Sequence, residues 1–177
     1  MKRVLAGLLL SVALAAPAFA ALPQGAAAPD FTLKAALAGK DFNFALKDAL
    51  KKGPVVLYFF PAAFTSGCTV EANAFAEATE EFKANGATII GVTAGNIDRV
   101  NEFSKVECRD KFAVAADPGA ALAQKYDAVS ATRAGFSSRT SYVIGKNGKV
   151  LYSLTDNVPT KHIENTLAAV KAAKRGG

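Results

Sequence analysis

Metal-binding and redox side chains are scarce in this chain. Its 177 residues include one histidine, His162, and two cysteines, Cys68 and Cys108. A structural zinc site takes four nitrogen or sulfur ligands, and three such residues are too few to fill one. The expectation is therefore no metal and no cofactor. His162 lies far in sequence from either cysteine and reads as a surface residue rather than a catalytic base. The Cys-x-x-Cys spacing is missing too, because Thr65 stands where its first cysteine would be. Rapid exchange between neighbouring thiols, the chemistry of dithiol oxidoreductases, has no second sulfur to use. There is no low-complexity tract, no internal repeat and no block of like charge. The formal charge of +6 comes from scattered Lys and Arg. That favours solubility and leaves no footprint for nucleic acid.

What the chain does have begins with a leader pattern. Lys2 and Arg3 precede an uncharged run from Val4 to Ala16, then Pro17, then Ala18-Phe19-Ala20. The run is about 13 residues, against the roughly 20 that a spanning helix needs. A basic start, a short apolar stretch and small residues at an A-x-A site make a secretory signal peptide. Cleavage is expected after Ala20, giving a periplasmic or secreted protein with no membrane contact. Residues 21–177 then form one domain of 157 residues with a formal charge of +4. That length buries a full layered core. An exported chain with two cysteines invites a disulfide. A static bond across 40 residues would contribute about 4 kcal/mol in the chain-entropy picture.

The periodicities predict an α/β order. Phe31-Thr32-Leu33 and Phe42-Asn43-Phe44 alternate about Gly39-Lys40, as in a hairpin. Residues 47–52 suit a helical turn. Pro54 to Phe60 is a short, continuous apolar run and reads as a buried strand ended by Pro61. From Cys68 to Asn85 the period changes to that of a helix, with Val70, Ala74, Phe75, Ala78 and Phe82 on its inner face. A second buried strand over 87–93 leads to a helix from Ile97 to about Cys108, with Val100 and Phe103 inward. A strand over 113–116 follows, then a small helix ending near Tyr126. Two strands, 140–144 and 149–154, are joined through Asn147-Gly148, a strong hairpin signal. A helix over 159–174 closes the chain, with Ile163, Leu167 and Val170 on one side. This order suits a thioredoxin-like sandwich, a central mixed sheet flanked by helices with an N-terminal β-hairpin.

The chemistry centres on Cys68. It falls where a buried strand has ended and a helix begins, and unpaired N–H groups at a helix start favour a thiolate. An unperturbed cysteine is only about 3% ionised at neutral pH, so such a site makes ~30-fold more nucleophile available. Thr65 lies three residues before the sulfur. Its hydroxyl is placed to accept from a substrate O–H and donate to the thiolate, or simply to cap the helix. Pro61 either stiffens and shields this turn or merely ends the strand.

Pro61, Thr65 and Cys68 together match the peroxiredoxin active-site pattern, and Thr69-Val70-Glu71-Ala72 resembles the bacterioferritin-comigratory, or peroxiredoxin Q, branch of that AhpC/TSA superfamily. Arg139, within Ser138-Arg139-Thr140-Ser141-Tyr142, matches the family arginine beside the sulfur. The resemblance also takes in Ala28-Pro29-Asp30-Phe31 and the late hairpin. It implies a thioredoxin-like fold and reduction of hydrogen peroxide or organic hydroperoxides through a sulfenic acid on Cys68, without a metal. It implies electrons from a thioredoxin-like dithiol, here one working outside the cytoplasm, and a monomer or weak dimer. A guanidinium is always charged and can hold a thiolate and a peroxide oxygen together, which gives Arg139 its own physical rationale. The alternative is an ordinary surface arginine. Glu71 either orients Arg139 or caps the helix.

Two departures stand out: Ser66 where relatives often have Pro, and Ala62-Ala63 where they often carry charge. Many relatives place a resolving cysteine five residues after the first, and that position is Asn73 here. Others keep it on the helix after the next strand, which Cys108 fits, so the resemblance implies a Cys68–Cys108 disulfide formed after the first turns of the Cys68 helix unwind. A one-cysteine mechanism with Cys108 as apolar filler is the alternative. The Gly-Gly-Leu-Gly segment and the C-terminal Tyr-Phe pair that slow resolution in some relatives are absent, which implies resistance to over-oxidation. A periplasmic thioredoxin-like thiol-disulfide oxidoreductase is the rival reading of the whole chain.

Overall fold

The computed structural model describes residues 21–176. The expected signal peptide, residues 1–20, lies outside them. Seven strands build one sheet: β1 (Thr32–Leu37), β2 (Lys40–Ala45), β3 (Val55–Ala62), β4 (Thr88–Gly95), β5 (Ala113–Ala116), β6 (Thr140–Ile144) and β7 (Val150–Thr155). The helices are α1 (Leu46–Lys52), α2 (Ser66–Ala84), α3 (Val100–Val106), α4 (Ala121–Lys125) and α5 (Pro159–Arg175). The strand order is β2-β1-β5-β4-β3-β6-β7. The three central strands β5, β4 and β3 run parallel, and the outer strands pair antiparallel. This is the expected mixed α/β sheet with its N-terminal hairpin.

β3 explains why the core has two layers. Side chains alternate across a strand, so an apolar run feeds both faces. Val55, Leu57 and Phe59 enter one layer with Phe31, Leu46, Tyr126 and Tyr142. Val56, Tyr58 and Phe60 enter the other with Cys68, Phe75, Phe82, Phe103 and Cys108. α2 and α5 pack together over this second layer, and α3 packs on β1 and β5.

The β1–β2 turn uses Ala38 and Gly39, both at positive φ (53° and 74°), which matches the twist of a two-residue hairpin. Three sequence expectations need correction. β3 does not stop at Pro61 but continues to Ala62. β6 leaves it after the Phe59–Thr140 pair, so the absent N–H of Pro61 breaks no bond on that side. α2 starts at Ser66 rather than Cys68, and Val70 is exposed. The buried stripe runs Cys68, Glu71, Ala72, Phe75, Ala76, Thr79, Phe82, and Val70 lies on the opposite side of the helix. The expected helix over 97–108 is a 3₁₀ turn (Ile97–Arg99) followed by the short α3, and Cys108 lies beyond its end.

Candidate active site

The carboxyl ends of β3 and β4 present the site. Ala63 N–H donates to Gly95 O at 3.2 Å, and Asn96 Nδ2 donates to Ala63 O at 2.7 Å. A Cβ on Gly95 would lie 2.6 Å from Ala62, Pro61 O and the Phe136 ring, so only glycine permits this approach. The chain then turns sharply into α2 through Phe64, at φ 61°. A bulky residue in the left-handed region costs about 1–3 kcal/mol unless its surroundings fix it. Phe64 is fixed edge-on to Phe103 (5.1 Å between centroids), with the Arg99 guanidinium 3.8 Å over its ring.

This turn sets Cys68 in the first turn of α2, almost wholly buried at 2% exposure. Arg139, just before β6, points Nη2 at Cys68 Sγ from 3.6 Å. Its Nη1 donates to Glu71 Oε2, so the Glu71 side chain lies against Arg139. The Arg139 side chain is 9% exposed and that of Glu71 0%, so this is a buried pair and the surface-arginine alternative is excluded. Gly67 makes room for it: a Cβ there would sit 3.0 Å from Arg139 Nη2. Sequence reasoning passed over Gly67, since a glycine beside a helix start gives no sign of which side chain lies over it.

Glu71 sits awkwardly for an acid. Burial pushes its carboxyl from 4.5 up to about 8, with the charge and hydrogen bond of Arg139 pulling the other way. Its Oε1 is buried without a hydrogen-bond partner. On that side stands His162, with Nδ1 3.9 Å from Oε1. Here the sequence reading was wrong: His162 is fully buried, not a surface residue. Its ring nitrogens face Ser141 Oγ (2.8 Å, from Nδ1) and the Asp156 carbonyl (2.9 Å, from Nε2), and these contacts make its burial tolerable. Burial pushes its imidazole below the ordinary 6.5. A signal was present in the sequence: His162, Thr166 and Val170 recur every four residues on the buried face of α5.

Thr65 occupies the N-cap position of α2 but does not cap it with its side chain. Its hydroxyl donates to Ala62 O at 3.0 Å rather than, as expected, to the Cys68 sulfur, and it keeps its lone pairs as acceptors. Pro61 lies half-buried in the same turn, its carbonyl accepting from Thr93 Oγ1 at 3.3 Å.

Cys108 shares the apolar layer with Cys68 and is fully buried, and no bond joins the two. Burial, then the Glu107 carboxylate, pushes its thiol well above the ordinary range. The next two residues, Arg109 and Asp110, are both at positive φ (51° and 59°). α2 holds this segment by side chains. Asn73 Nδ2 donates to Glu107 Oε2 at 2.8 Å, Arg109 Nη1 to Glu77 Oε1 at 3.2 Å, and Lys111 lies 3.8 Å from Glu80. An apolar groove of about 440 Å³, lined in part by Phe42, Thr79, Ile89 and Phe112, lies at the amino ends of β4 and β5, away from Cys68.

A buried cysteine at a helix start, with a guanidinium aimed at its sulfur, can attack an electrophile and stabilise the charge it displaces. Comparison with known proteins agrees. The AhpC/TSA family model matches residues 24–153. Chloroplastic peroxiredoxin Q of Arabidopsis thaliana is 35% identical over 156 residues, covering 88% of this chain and 70% of that protein. The Gentiana triflora protein of the same name is 34% identical with the same coverage. Peroxidoxin BcpB of Mycobacterium tuberculosis superposes with a TM-score of 0.75 at 28% identity, over 84% of this chain and 96% of that one. AhpC of the same organism, at 18% identity and TM-score 0.75, shares the fold. The chain is thus a thioredoxin-fold thiol peroxidase and belongs to the AhpC/TSA family of peroxiredoxins, next to peroxiredoxin Q.

Proposed function

We propose that Cys68 is the peroxidatic cysteine and Cys108 its resolving partner, in an exported enzyme that reduces hydrogen peroxide and organic hydroperoxides. The Cys68 thiolate attacks one peroxide oxygen and the O–O bond breaks. The sulfur leaves as sulfenic acid, oxidised by two electrons, and the other oxygen departs with a proton as water or alcohol. Arg139 balances the thiolate and then the developing oxyanion. Thr65, whose hydroxyl oxygen remains an acceptor, takes the peroxide hydrogen and aligns the O–O bond with the sulfur. Pro61 keeps water off the turn, and Glu71 fixes Arg139.

Cys108 then displaces the hydroxyl of the sulfenic acid, which leaves as water, and a Cys68–Cys108 disulfide forms. A buried thiol held above its ordinary range is a poor nucleophile in place. Resolution therefore involves loosening the first turns of α2 and the segment around Cys108. A thioredoxin-like dithiol outside the cytoplasm returns two electrons. The leader pattern of residues 1–20 supports export, and the working unit is a monomer or weak dimer.

The observation that carries this reading is the 3.6 Å approach of Arg139 Nη2 to a sulfur in the first turn of α2. The test is peroxide loss with excess dithiothreitol, comparing residues 21–177 with Cys68→Ser and Cys108→Ser. Turnover should vanish in Cys68→Ser, and Cys108→Ser should accumulate a trappable sulfenic acid on Cys68. Equal turnover in Cys68→Ser and the parent would reject the assignment.

A further inference from the structure

The buried group at the sulfur contains one fixed cation and two acids. Cys68 is 2% exposed, Glu71 0%, and among the described residues Arg139 is the cation paired with both. Ionising both acids would leave a net charge of −1 away from water, which is costly. One proton therefore stays in the group, and it has two homes. In the first state Cys68 is a thiol and Glu71 a carboxylate. In the second Cys68 is a thiolate and Glu71 a carboxylic acid. The net charge is zero in both, and only the second is reactive.

The second state needs an acceptor for the new O–H of Glu71. Oε2 is engaged by Arg139, so the proton goes on Oε1, the atom without a partner. His162 Nδ1 stands 3.9 Å from it. A carbonyl only accepts, so the 2.9 Å contact to Asp156 O places the ring hydrogen on Nε2 and makes Nδ1 an acceptor. Ser141 Oγ, at 2.8 Å, donates to that lone pair in this structure, so accepting from Glu71 requires the Ser141 hydroxyl hydrogen to turn away. An approach of about 1 Å brings Oε1 within hydrogen-bond distance of Nδ1.

We propose that His162 is a positioning residue acting through Glu71: its Nδ1 accepts the hydrogen bond of protonated Glu71 and so favours the state in which Glu71 keeps the proton and the full charge of Arg139 passes to the Cys68 sulfur. This rests on Cys68 being the reacting thiol. Tyr58 from β3 also faces Glu71 and stays neutral, because burial pushes its phenol well up. On the His162 side, Asp156 turns its carboxylate outward to Lys161 at 2.7 Å, and Arg139 disfavours a second proton on the ring. The raised carboxyl of Glu71 and the lowered imidazole of His162 both suit a neutral pair.

The test is the rate at which iodoacetamide alkylates reduced Cys68 at neutral pH, in a Cys108→Ser background. His162→Leu removes the acceptor and should slow alkylation ~10-fold, the effect of a one-unit change in proton affinity. His162→Gln restores an acceptor and a donor and should recover most of the rate. In a Glu71→Gln background, with no proton to place, His162→Leu should change nothing further. Equal slowing with Glu71 intact and in the Glu71→Gln background, or a lowered melting temperature with an unchanged rate, would overturn the proposal. If His162→Leu does not fold, an infrared difference spectrum replaces it. The carboxylic-acid C=O band, assigned by its loss in Glu71→Gln, should be stronger with Cys68 than with Cys68→Ser, and its absence overturns the proposal. Neither readout uses peroxide, so a protein inert to peroxide would fail the turnover assay and leave these results standing.

Discussion

Replacing Asn73 with Ala should accelerate disulfide formation. Cys108 lies in a segment that α2 grips through three side-chain contacts, and these differ in strength. The Asn73 bond to Glu107 is 2.8 Å long, between half-buried side chains, with a charged acceptor. Such a bond contributes ~1 kcal/mol after its exchange with water is counted. The Arg109–Glu77 pair is 48% and 68% exposed, which puts it near zero. Lys111–Glu80 is longer, at 3.8 Å, and Glu80 is shared with Lys83. If the segment must leave α2 before the sulfurs meet, Asn73→Ala lowers that step by the lost bond, about 5-fold in rate. Arg109→Ala should change it less than ~2-fold. The assay adds one equivalent of peroxide to reduced protein, quenches with an alkylating reagent, and counts sulfenic acid and disulfide by mass spectrometry. Urea unfolding checks that Asn73→Ala lost about 1 kcal/mol. That loss with an unchanged rate of disulfide formation would refute the opening step as the barrier.

Glu71 should also govern the pH dependence of stability. Its native carboxyl keeps a proton that the unfolded chain releases above 4.5, so the stability it adds is full below that pH and is lost as pH rises to about 8. Urea unfolding across this range should therefore show a decline that Glu71→Gln flattens. His162 has the opposite sign: held below 6.5 in the fold, it costs stability as pH falls below that value, and this loss should persist in Glu71→Gln. Thr65→Val should reduce peroxide turnover ~100-fold while Thr65→Ser keeps most of it, with stability within about 0.5 kcal/mol for so exposed a residue. Gly67→Ala should leave stability within about 0.5 kcal/mol, the helix gain offset by crowding of the buried ion pair, and slow Cys68 alkylation several-fold. The new methyl lies 3.0 Å from Arg139 Nη2 and pushes the guanidinium away from the sulfur. Thermal unfolding and iodoacetamide rates read the two effects separately.

Features that depend on neighbours along the chain were legible in the sequence. The apolar run of β3 must be buried on both faces, Asn147-Gly148 must turn, and Cys68 must fall in the first turn of a helix. Even there, tertiary context moved the edges: Pro61 stays in the strand because β6 has already left it, and Val70 faces out because the buried stripe of α2 runs through Cys68, Glu71 and Phe75. Features that depend on pairing were settled by the folded chain. Arg139 reaches Cys68 across 71 positions and Glu71 across 68, and no local pattern says that a buried acid will find its cation there. His162 reads as a surface residue because an unpaired polar side chain avoids the core. Only the meeting of α5, β6 and α2 supplies the Asp156 carbonyl and the Ser141 hydroxyl that make its burial tolerable and set it beside Glu71.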